Sequence, residues 1–253
     1  FVAFKQGIIM KIKLIIIALG LIYIVGCSKT SSELFNMSNE YLKNEKHDDA
    51  ISHLQKLVLK YPQDSLASQA QFKIATIQLN WKNSLSDGYE ALQKTVKQYS
   101  ETIHAKEAQK QIDDFPNFII NKTESLRKRK MVKEALDHLS YLIEKYKTHE
   151  LSSKGQYMLG DIYMNDLRDF NTAIQEYRKV IDNYSGSDQE PHALFMIGYI
   201  FANVVNDPKS AEVEYNLFLD KFPTHELSPS VKFELDYLGK DIEEIPALKH
   251  ITS

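Results

Sequence analysis

Length, composition and charge narrow the classes of protein that fit this chain. The 253 residues are 43% hydrophobic, which supplies a substantial core and excludes a disordered chain. The formal net charge is −3, and it becomes −6 once Lys5, Lys11 and Lys13 leave with the leader segment predicted below. A mildly acidic body argues against nucleic acid as the main partner. Because Cys27 is the single cysteine, an intramolecular disulfide and a zinc site of several cysteines are excluded.

The amino-terminal residues have the layout of a secretory signal. A short basic region precedes an apolar run from 14 to 25, and a small residue follows it. We predict that translation begins at Met10, that residues 1 to 9 lie upstream of the true start, and that the signal peptide ends at residue 26. The apolar run is too short for a comfortable membrane span, which needs about 20 residues.

The segment 24–27 (Ile-Val-Gly-Cys) resembles the lipobox of bacterial lipoproteins. This resemblance implies cleavage before Cys27 and attachment of a diacylglycerol and an N-acyl lipid to that residue. Two or three fatty chains anchor a protein firmly, whereas one binds a bilayer only marginally. Residues 27–32 are predicted to be a lipidated tether. Ser28, rather than Asp, follows the cysteine, which by the sorting rule of enteric bacteria implies the periplasmic side of the outer membrane.

An internal repeat runs through the rest of the chain. Two series of residues, one aromatic and one small, recur with the same spacings of 38, 47, 38 and 38 residues. The aromatic series is Tyr61, Tyr99, Tyr146, Tyr184 and Phe222, and the small series is Ala50, Gly88, Ala135, Ala173 and Ala211. Apolar residues recur at three- and four-residue spacing within each unit, so each unit is predicted to contain two amphipathic helices. Small residues at Ala75, Gly160 and Gly198 are expected to face a neighbouring helix closely.

The repeat resembles a known family. The pattern from Gly155 to Tyr163, followed by Ala173 and Tyr184, is similar to tetratricopeptide repeats in the longer form found in bacterial envelope proteins. The resemblance covers roughly residues 33 to 240 and implies an all-α fold, a right-handed α-solenoid of about five helix pairs with a C-terminal capping helix. The unit itself is similar to the repeats of the CpoB family. The layout of a lipobox followed at once by about five repeats resembles the BamD family of outer-membrane lipoproteins.

The third unit carries nine extra residues and a proline. Because Pro116 cannot lie in a helix interior without a lost hydrogen bond and a clash, a kink or a new helix start is predicted there. We therefore predict a first repeat lobe over 33–115 and a second over 116–240. A capping helix is predicted from 229 to 239, and residues 241–253 are predicted to be a frayed tail.

The resemblance implies a membrane-anchored scaffold that binds other envelope proteins, without catalysis and without a cofactor other than the lipid on Cys27. A BamD-like protein would dock a β-barrel insertase or unfolded outer-membrane proteins. The alternatives are a CpoB-like coordination factor of the Tol-Pal system and an adaptor of a secretion complex. A glycan-binding or small-ligand-binding protein is a further alternative, and it would need a deep pocket with converging polar groups.

Two groups of residues are candidates for the binding surface. Four aromatic side chains recur at one place in the first helix of their units, and either a concave groove or core packing accounts for them; they are Phe72, Tyr157, Phe195 and Phe233. The dense basic run is Arg127, Lys128, Arg129 and Lys130. This run either meets an acidic partner or anionic lipid head groups, or is a solvated turn between helices.

No motif for catalysis or metal binding is found. The sequence has neither a nucleophile elbow nor a phosphate-binding glycine loop, and no two of its eight histidines have the i, i+4 spacing of a zinc pair. We expect the histidines to be solvated; they are His47, His53, His104, His138, His149, His192, His225 and His250. Thr76, Asp161 and Tyr199 occupy the position where repeats that clamp a C-terminal carboxylate carry asparagine, so that mechanism is not expected.

Overall fold

The computed structural model describes residues 29–240, and every regular element in that range is helical. The helices are α1 (Ser31–Lys43), α2 (His47–Lys60), α3 (Ser65–Asn80), α4 (Leu85–Gln98), α5 (Ile103–Asp113), α6 (Phe115–Lys128), α7 (Val132–Lys145), α8 (Glu150–Asp161), α9 (Phe170–Asn183), α10 (Gln189–Ile200), α11 (Pro208–Lys221) and α12 (Ser228–Tyr237). Within 29–240, none of them is long and apolar enough to cross a membrane. The all-α prediction is confirmed. Cys27, the signal peptide and the predicted tail lie outside the described residues.

Five turns between helices recur with the same spacing as the aromatic and small landmarks of the sequence. Each follows the first helix of a pair and contains one residue in the left-handed region, at Glu45, Asn83, Lys130, Arg168 and Asn206. Their spacing is that of the aromatic landmarks, 38, 47, 38 and 38 residues. The predicted five helix pairs are therefore confirmed as α1–α2, α3–α4, α6–α7, α8–α9 and α10–α11. Helix α12 packs on α11 as the predicted cap.

The nine-residue insertion produces an additional helix, α5, and a break before α6. Pro116 lies in the first turn of α6, where its missing N–H removes no helical hydrogen bond, so the predicted helix start is confirmed. The chain divides into two compact units, one ending at Ile112 and the other beginning at Asp113. The sequence predicts this boundary between residues 115 and 116, three residues further along the chain.

In the first unit, hydrogen bonds fix the position at which the first helix, α1, begins. Thr30 and Glu33 form a capping box, which satisfies two backbone donors at the N-terminus of α1. The Tyr61 hydroxyl donates to the Lys29 carbonyl at 2.8 Å, and Ser31 Oγ donates to an Asp64 carboxylate oxygen at 2.7 Å. Helix α1 thus begins at Ser31 rather than at 33. The chain is held to the α2–α3 turn immediately after the predicted lipobox.

The second unit packs large tyrosines beneath glycines. A Cβ atom added to Gly160 would lie 2.5 Å from the ring of Tyr177, and one added to Gly198 would lie 2.5 Å from the ring of Tyr215. Both tyrosines are fully buried. The predicted close approach of helices at these two glycines is confirmed. After the glycines, α8 and α10 continue as π-helical turns over Ile162–Leu167 and Phe201–Val205.

Candidate functional site

The first helices of three successive pairs in the second unit border a groove of about 540 Å³. Helix α6, helix α8 with its π-helical turn, and the start of α10 supply its walls. We call it the α6–α8 groove. Its lining residues are Glu124, Arg127, Lys128, Lys154, Tyr157, Met158, Asp161, Asp166 and Gln189.

Tyr157 and Met158 form the apolar part of the α6–α8 groove. The Tyr157 ring lies 5.2 Å from the ring of Tyr177 and 6.3 Å from that of His192, so the side chain also packs against the core. Its hydroxyl has no hydrogen-bond partner among the residues the structure describes. Burial, and next the charge of Asp161, raise the pKa of Tyr157. The neutral hydroxyl is therefore available as a hydrogen-bond donor to a bound group.

Two carboxylates at the base of the groove already have partners. Asp161 accepts a hydrogen bond from the Tyr177 hydroxyl at 2.7 Å. Burial raises the pKa of Asp161, whereas the bond from Tyr177 and the charge of Arg127 act in the opposite direction. Arg127 Nε and Nη2 lie 2.9 and 2.7 Å from the same oxygen of Asp166. This ion pair joins α6 to the π-helical turn after α8.

The outer part of the groove and the turn beside it are rich in free cations. Lys128 is exposed and Lys154 is half-buried, and neither forms an ion pair with any residue in the range 29–240. Arg129 and Lys130 are also exposed, and Lys130 has the left-handed backbone of the α6–α7 turn. Glu124 is the exposed carboxylate on the same rim. The predicted basic run therefore separates into Arg127, which is paired inside the groove, and three solvated residues.

The four predicted groove aromatics have different surroundings. Tyr157 lines the α6–α8 groove, as described above. Phe195 is half-buried against Tyr215, with ring centroids 6.2 Å apart. Phe233 is 41% exposed and its ring lies 4.8 Å from that of Tyr237. In the first unit Phe72 is half-buried and its ring lies 6.2 Å from that of His104. The structure therefore places one of the four in this groove.

The sequence reasoning missed five groove residues, which are Glu124, Lys154, Met158, Asp166 and Gln189. Asp161 was noted only as a substitute for a clamp asparagine. The 38-residue repeat predicts that Tyr157 and its neighbour Met158 lie on a helix. It does not reveal the π-helical turn that carries Asp166 towards α6. A repeat pattern in the sequence therefore does not indicate the ion pair of Arg127 with Asp166.

The expectation of solvated histidines is wrong for His138. This side chain is 2% exposed, and its Nδ1 lies 2.8 Å from the Glu134 carbonyl, which requires the proton on Nδ1. The Nε2 atom is buried without a hydrogen-bond partner. Desolvation, followed by the charge of Lys122, lowers the pKa of His138, although the bond to Glu134 and the charge of Asp137 oppose this.

One group of described residues has metal-ligand chemistry. Potential ligand atoms of His192, His225 and Glu226 lie within 4.8 Å of one another. However, His225 Nδ1 accepts a hydrogen bond from the Leu227 amide at 3.1 Å. A metal on Nδ1 would displace this bond, and a metal on Nε2 would require a proton on Nδ1, facing the amide proton. The arrangement fits a histidine that accepts a backbone hydrogen bond just before α12 better than a metal ligand.

Comparison with known proteins identifies the repeat. The sequence model of the family described as "Tetratricopeptide repeat" matches residues 34–64 and 155–187, one segment in each unit. No curated protein matches the chain.

Several solved structures are similar to this chain at low sequence identity. MamA (41-end) from Desulfovibrio magneticus RS-1 is 15% identical, with a TM-score of 0.35, over 79% of this chain and 98% of that one. YrrB, described as a TPR protein with an unusual peptide-binding site, is 16% identical, with a TM-score of 0.37, over 79% and 90%. PilF of Pseudomonas aeruginosa is 13% identical, with a TM-score of 0.36, over 88% and 96%. Two segments of this chain therefore match tetratricopeptide repeats, and the described residues form an all-helical array of helix pairs in one register, the kind of array that serves as a scaffold for protein–protein interaction.

Proposed function

We propose that this protein is a membrane-anchored periplasmic scaffold that docks other envelope proteins during assembly of outer-membrane β-barrels. The single observation that carries the proposal is the order of features in the chain: a segment ending at Cys27 that resembles a lipobox, followed closely by helix pairs from Ser31 to Lys221 and a last helix that ends at Tyr237. Acylation of Cys27 would hold the scaffold at a bilayer. The repeats would then present protein-binding surfaces at that bilayer.

The first unit supports a close attachment to the membrane. Its first described residue, Lys29, is already hydrogen-bonded to Tyr61 through its carbonyl oxygen. Ser31 is bonded to Asp64 on the same α2–α3 turn. A lipid on Cys27 would therefore be joined to this turn by a very short stretch of chain. The bilayer would restrict the first unit directly.

The second unit offers the docking surface. The α6–α8 groove combines an aromatic ring, a thioether and several charged groups, which are groups that a peptide segment can contact. Its walls are held by Arg127 with Asp166 and by Tyr177 with Asp161. Because these contacts join α6, α8 and α9, the groove is formed before a partner binds, which lowers the entropy cost of docking.

A glycan-binding or small-ligand function is less well supported by the same geometry. The rim residues Glu124 and Lys128 are exposed, so the cavity is a surface groove rather than an enclosed pocket. Small-ligand sites enclose most of the ligand surface. A segment of another protein, which needs only one side covered, suits this shape better.

Chemical crosslinking in intact source cells, followed by affinity purification of this protein, tests the proposal. We expect an outer-membrane β-barrel insertase among the crosslinked partners and membrane release of a Cys27→Ser variant. Recovery of Tol-Pal proteins without an insertase would contradict β-barrel assembly and favour a CpoB-like role. A Cys27→Ser variant that remains fully membrane-bound would contradict the lipid anchor.

A further inference from the structure

The α6–α8 groove has a charge and an apolar surface that together define a class of partner. We infer that it takes an acidic segment of a partner protein that inserts one large apolar side chain beside Tyr157 and Met158. This inference rests on the proposed scaffold function and specifies the chemistry of the docked segment.

The first argument concerns which charges remain available to a partner. Arg127 and Asp166 neutralise each other, whereas Asp161 accepts a hydrogen bond from the Tyr177 hydroxyl and keeps its charge. Among the lining residues this leaves Lys128 and Lys154 against two carboxylates, the exposed Glu124 and the half-buried Asp161. These two lysines extend from different helices, α6 and α8, on to the same cavity. A segment in the groove would therefore meet a cation on each wall.

The turn beside the groove gives this region its excess of positive charge. Arg129 and Lys130 follow Lys128 directly and are exposed, and neither has an ion-pair partner in the range 29–240. Charges that are exposed and unpaired act on an approaching partner over about 10 Å at moderate ionic strength. An acidic segment would be attracted both to the groove and to its approach, whereas a basic segment would be repelled by four cations before it reached Glu124.

The second argument concerns the base of the groove. Tyr157 presents part of its ring and an unpartnered hydroxyl, and Met158 contributes a flexible thioether. An aromatic or large aliphatic side chain would pack on these two groups. The Tyr157 hydroxyl, as a donor, would bind a carbonyl or carboxylate oxygen of the same segment. Apolar anchoring with charge complementarity at the rim is the usual anatomy of a specific protein contact.

Binding of two defined probes to the purified full chain tests the inference. Both are fluorescein-labelled nonapeptides with alternating charged and apolar residues, the latter leucine and phenylalanine; one carries glutamates and the other lysines. By fluorescence anisotropy, we expect the glutamate peptide to bind at least about tenfold more tightly than the lysine peptide, with a preference that decreases as salt is raised. Equal affinity, or a preference for the lysine peptide, would overturn the inference.

Paired charge reversals locate the binding site. Lys128→Glu with Lys154→Glu should weaken binding of the glutamate peptide by about tenfold or more and strengthen binding of the lysine peptide. Lys56→Glu with Lys97→Glu, at exposed residues of the first unit, is the matched control and should change neither affinity by more than about twofold. An equal effect of both pairs would place the interaction elsewhere and overturn the inference.

A milder variant covers the case in which charge reversal disturbs folding. Tyr157→Phe retains the packed ring and removes only the hydroxyl, and it should weaken binding of the glutamate peptide about threefold or more, consistent with loss of one hydrogen bond. Unchanged affinity would contradict the assigned role of the hydroxyl.

If the peptide results fail while an insertase is still crosslinked in cells, the acidic segment is wrong and the scaffold function stands. If no envelope partner is crosslinked, the proposed function fails.

Discussion

The two units use the same helix pair but different chemistry at the same position of the repeat. In the first unit this position holds Leu92, fully buried, and the small residue of the preceding helix is Ala75. In the second unit the α6–α7 pair keeps a buried leucine, Leu139, whereas the α8–α9 pair has Tyr177 with Gly160, and the glycine leaves room for the larger ring. The tyrosine hydroxyl then reaches a carboxylate. An apolar contact has been replaced by a directional polar one.

The units also differ in where their carboxylates lie. Among the residues described in the first unit, none of the buried side chains is charged. The second unit buries three carboxylates, each beside a cation: Glu176 with Lys179, Glu190 with Lys221, and Glu214 with Arg178. Buried polar networks fix geometry more strictly than apolar packing does, and they are costly to leave half satisfied. The unit with the groove is therefore expected to be the more sensitive to substitution.

The largest difference in the free energy of unfolding is expected between removal of a buried ion pair and removal of an exposed one. Glu190 is 1% exposed and accepts hydrogen bonds from the Gly186 amide and from Lys221. Glu190→Ala should reduce the free energy of unfolding by about 2–3 kcal/mol, because the amide and the ammonium lose their acceptor. Glu90→Ala, which removes an exposed pair with Lys94, should cost less than about 0.5 kcal/mol. Urea denaturation measures both, and equal losses would contradict the comparison.

The glycine beneath Tyr177 gives the next largest effect. Gly160→Ala should destabilise the protein by about 2 kcal/mol, since a rigid, fully buried ring lies 2.5 Å from the new methyl group. The control is Gly155→Ala, which meets a methyl group of Leu142 at 2.8 Å; that flexible side chain can move, so the loss should be smaller. Thermal unfolding followed by circular dichroism would detect the difference. A Gly160→Ala variant as stable as the original would show that the helices separate freely.

Removal of a single hydroxyl should have a smaller effect. Tyr177→Phe leaves the half-buried Asp161 without its donor at 2.7 Å, and should cost about 1–2 kcal/mol near pH 7. Tyr215→Phe, in the equivalent position, breaks a longer contact of 3.4 Å with Glu234 and should cost less. Chemical denaturation compares the pair. The reverse order would mean that the Asp161 carboxylate is not a significant partner in solution.

The smallest expected effect is a change in how strongly the stability of the protein depends on pH. Burial lowers the pKa of His138 in the folded state, so the unfolded chain binds more protons as the pH falls through about 6.5, and stability should decrease there. His138→Leu should make stability less dependent on pH between 7.5 and 5.5. His53, at the same position of the first repeat and with the same carbonyl contact at 2.8 Å, is half-buried and is the matched control. An equal change from His53→Leu would contradict a special role for the buried ring.

Much of the fold follows from the sequence because the repeat register constrains it. The equal spacing of small and aromatic residues predicts the helix pairs, and Pro116 predicts the start of α6 because its ring fits only the first turn of a helix. Gly160 and Gly198 indicate close helix contacts for a similar steric reason. These inferences need only local chemistry and a period.

The groove was less predictable because it depends on contacts between distant residues. In the sequence Arg127 belongs to a basic run, yet in the structure it pairs with Asp166 across the groove. His138 and His53 share a register position, but only the former is buried, because burial depends on the neighbouring helix. Residue type and spacing do not determine such pairings. They follow from how the helices pack.

Site-specific photo-crosslinking in intact source cells tests the central claim, that the α6–α8 groove docks an envelope protein. A crosslinking amino acid at Gln189, on the groove wall, should capture an envelope partner, and the Lys128→Glu and Lys154→Glu changes should reduce that capture strongly. The same amino acid at Leu59, which is 84% exposed in the first unit, is the control and should not capture that partner. Capture from Leu59 but not from Gln189 would contradict the claim.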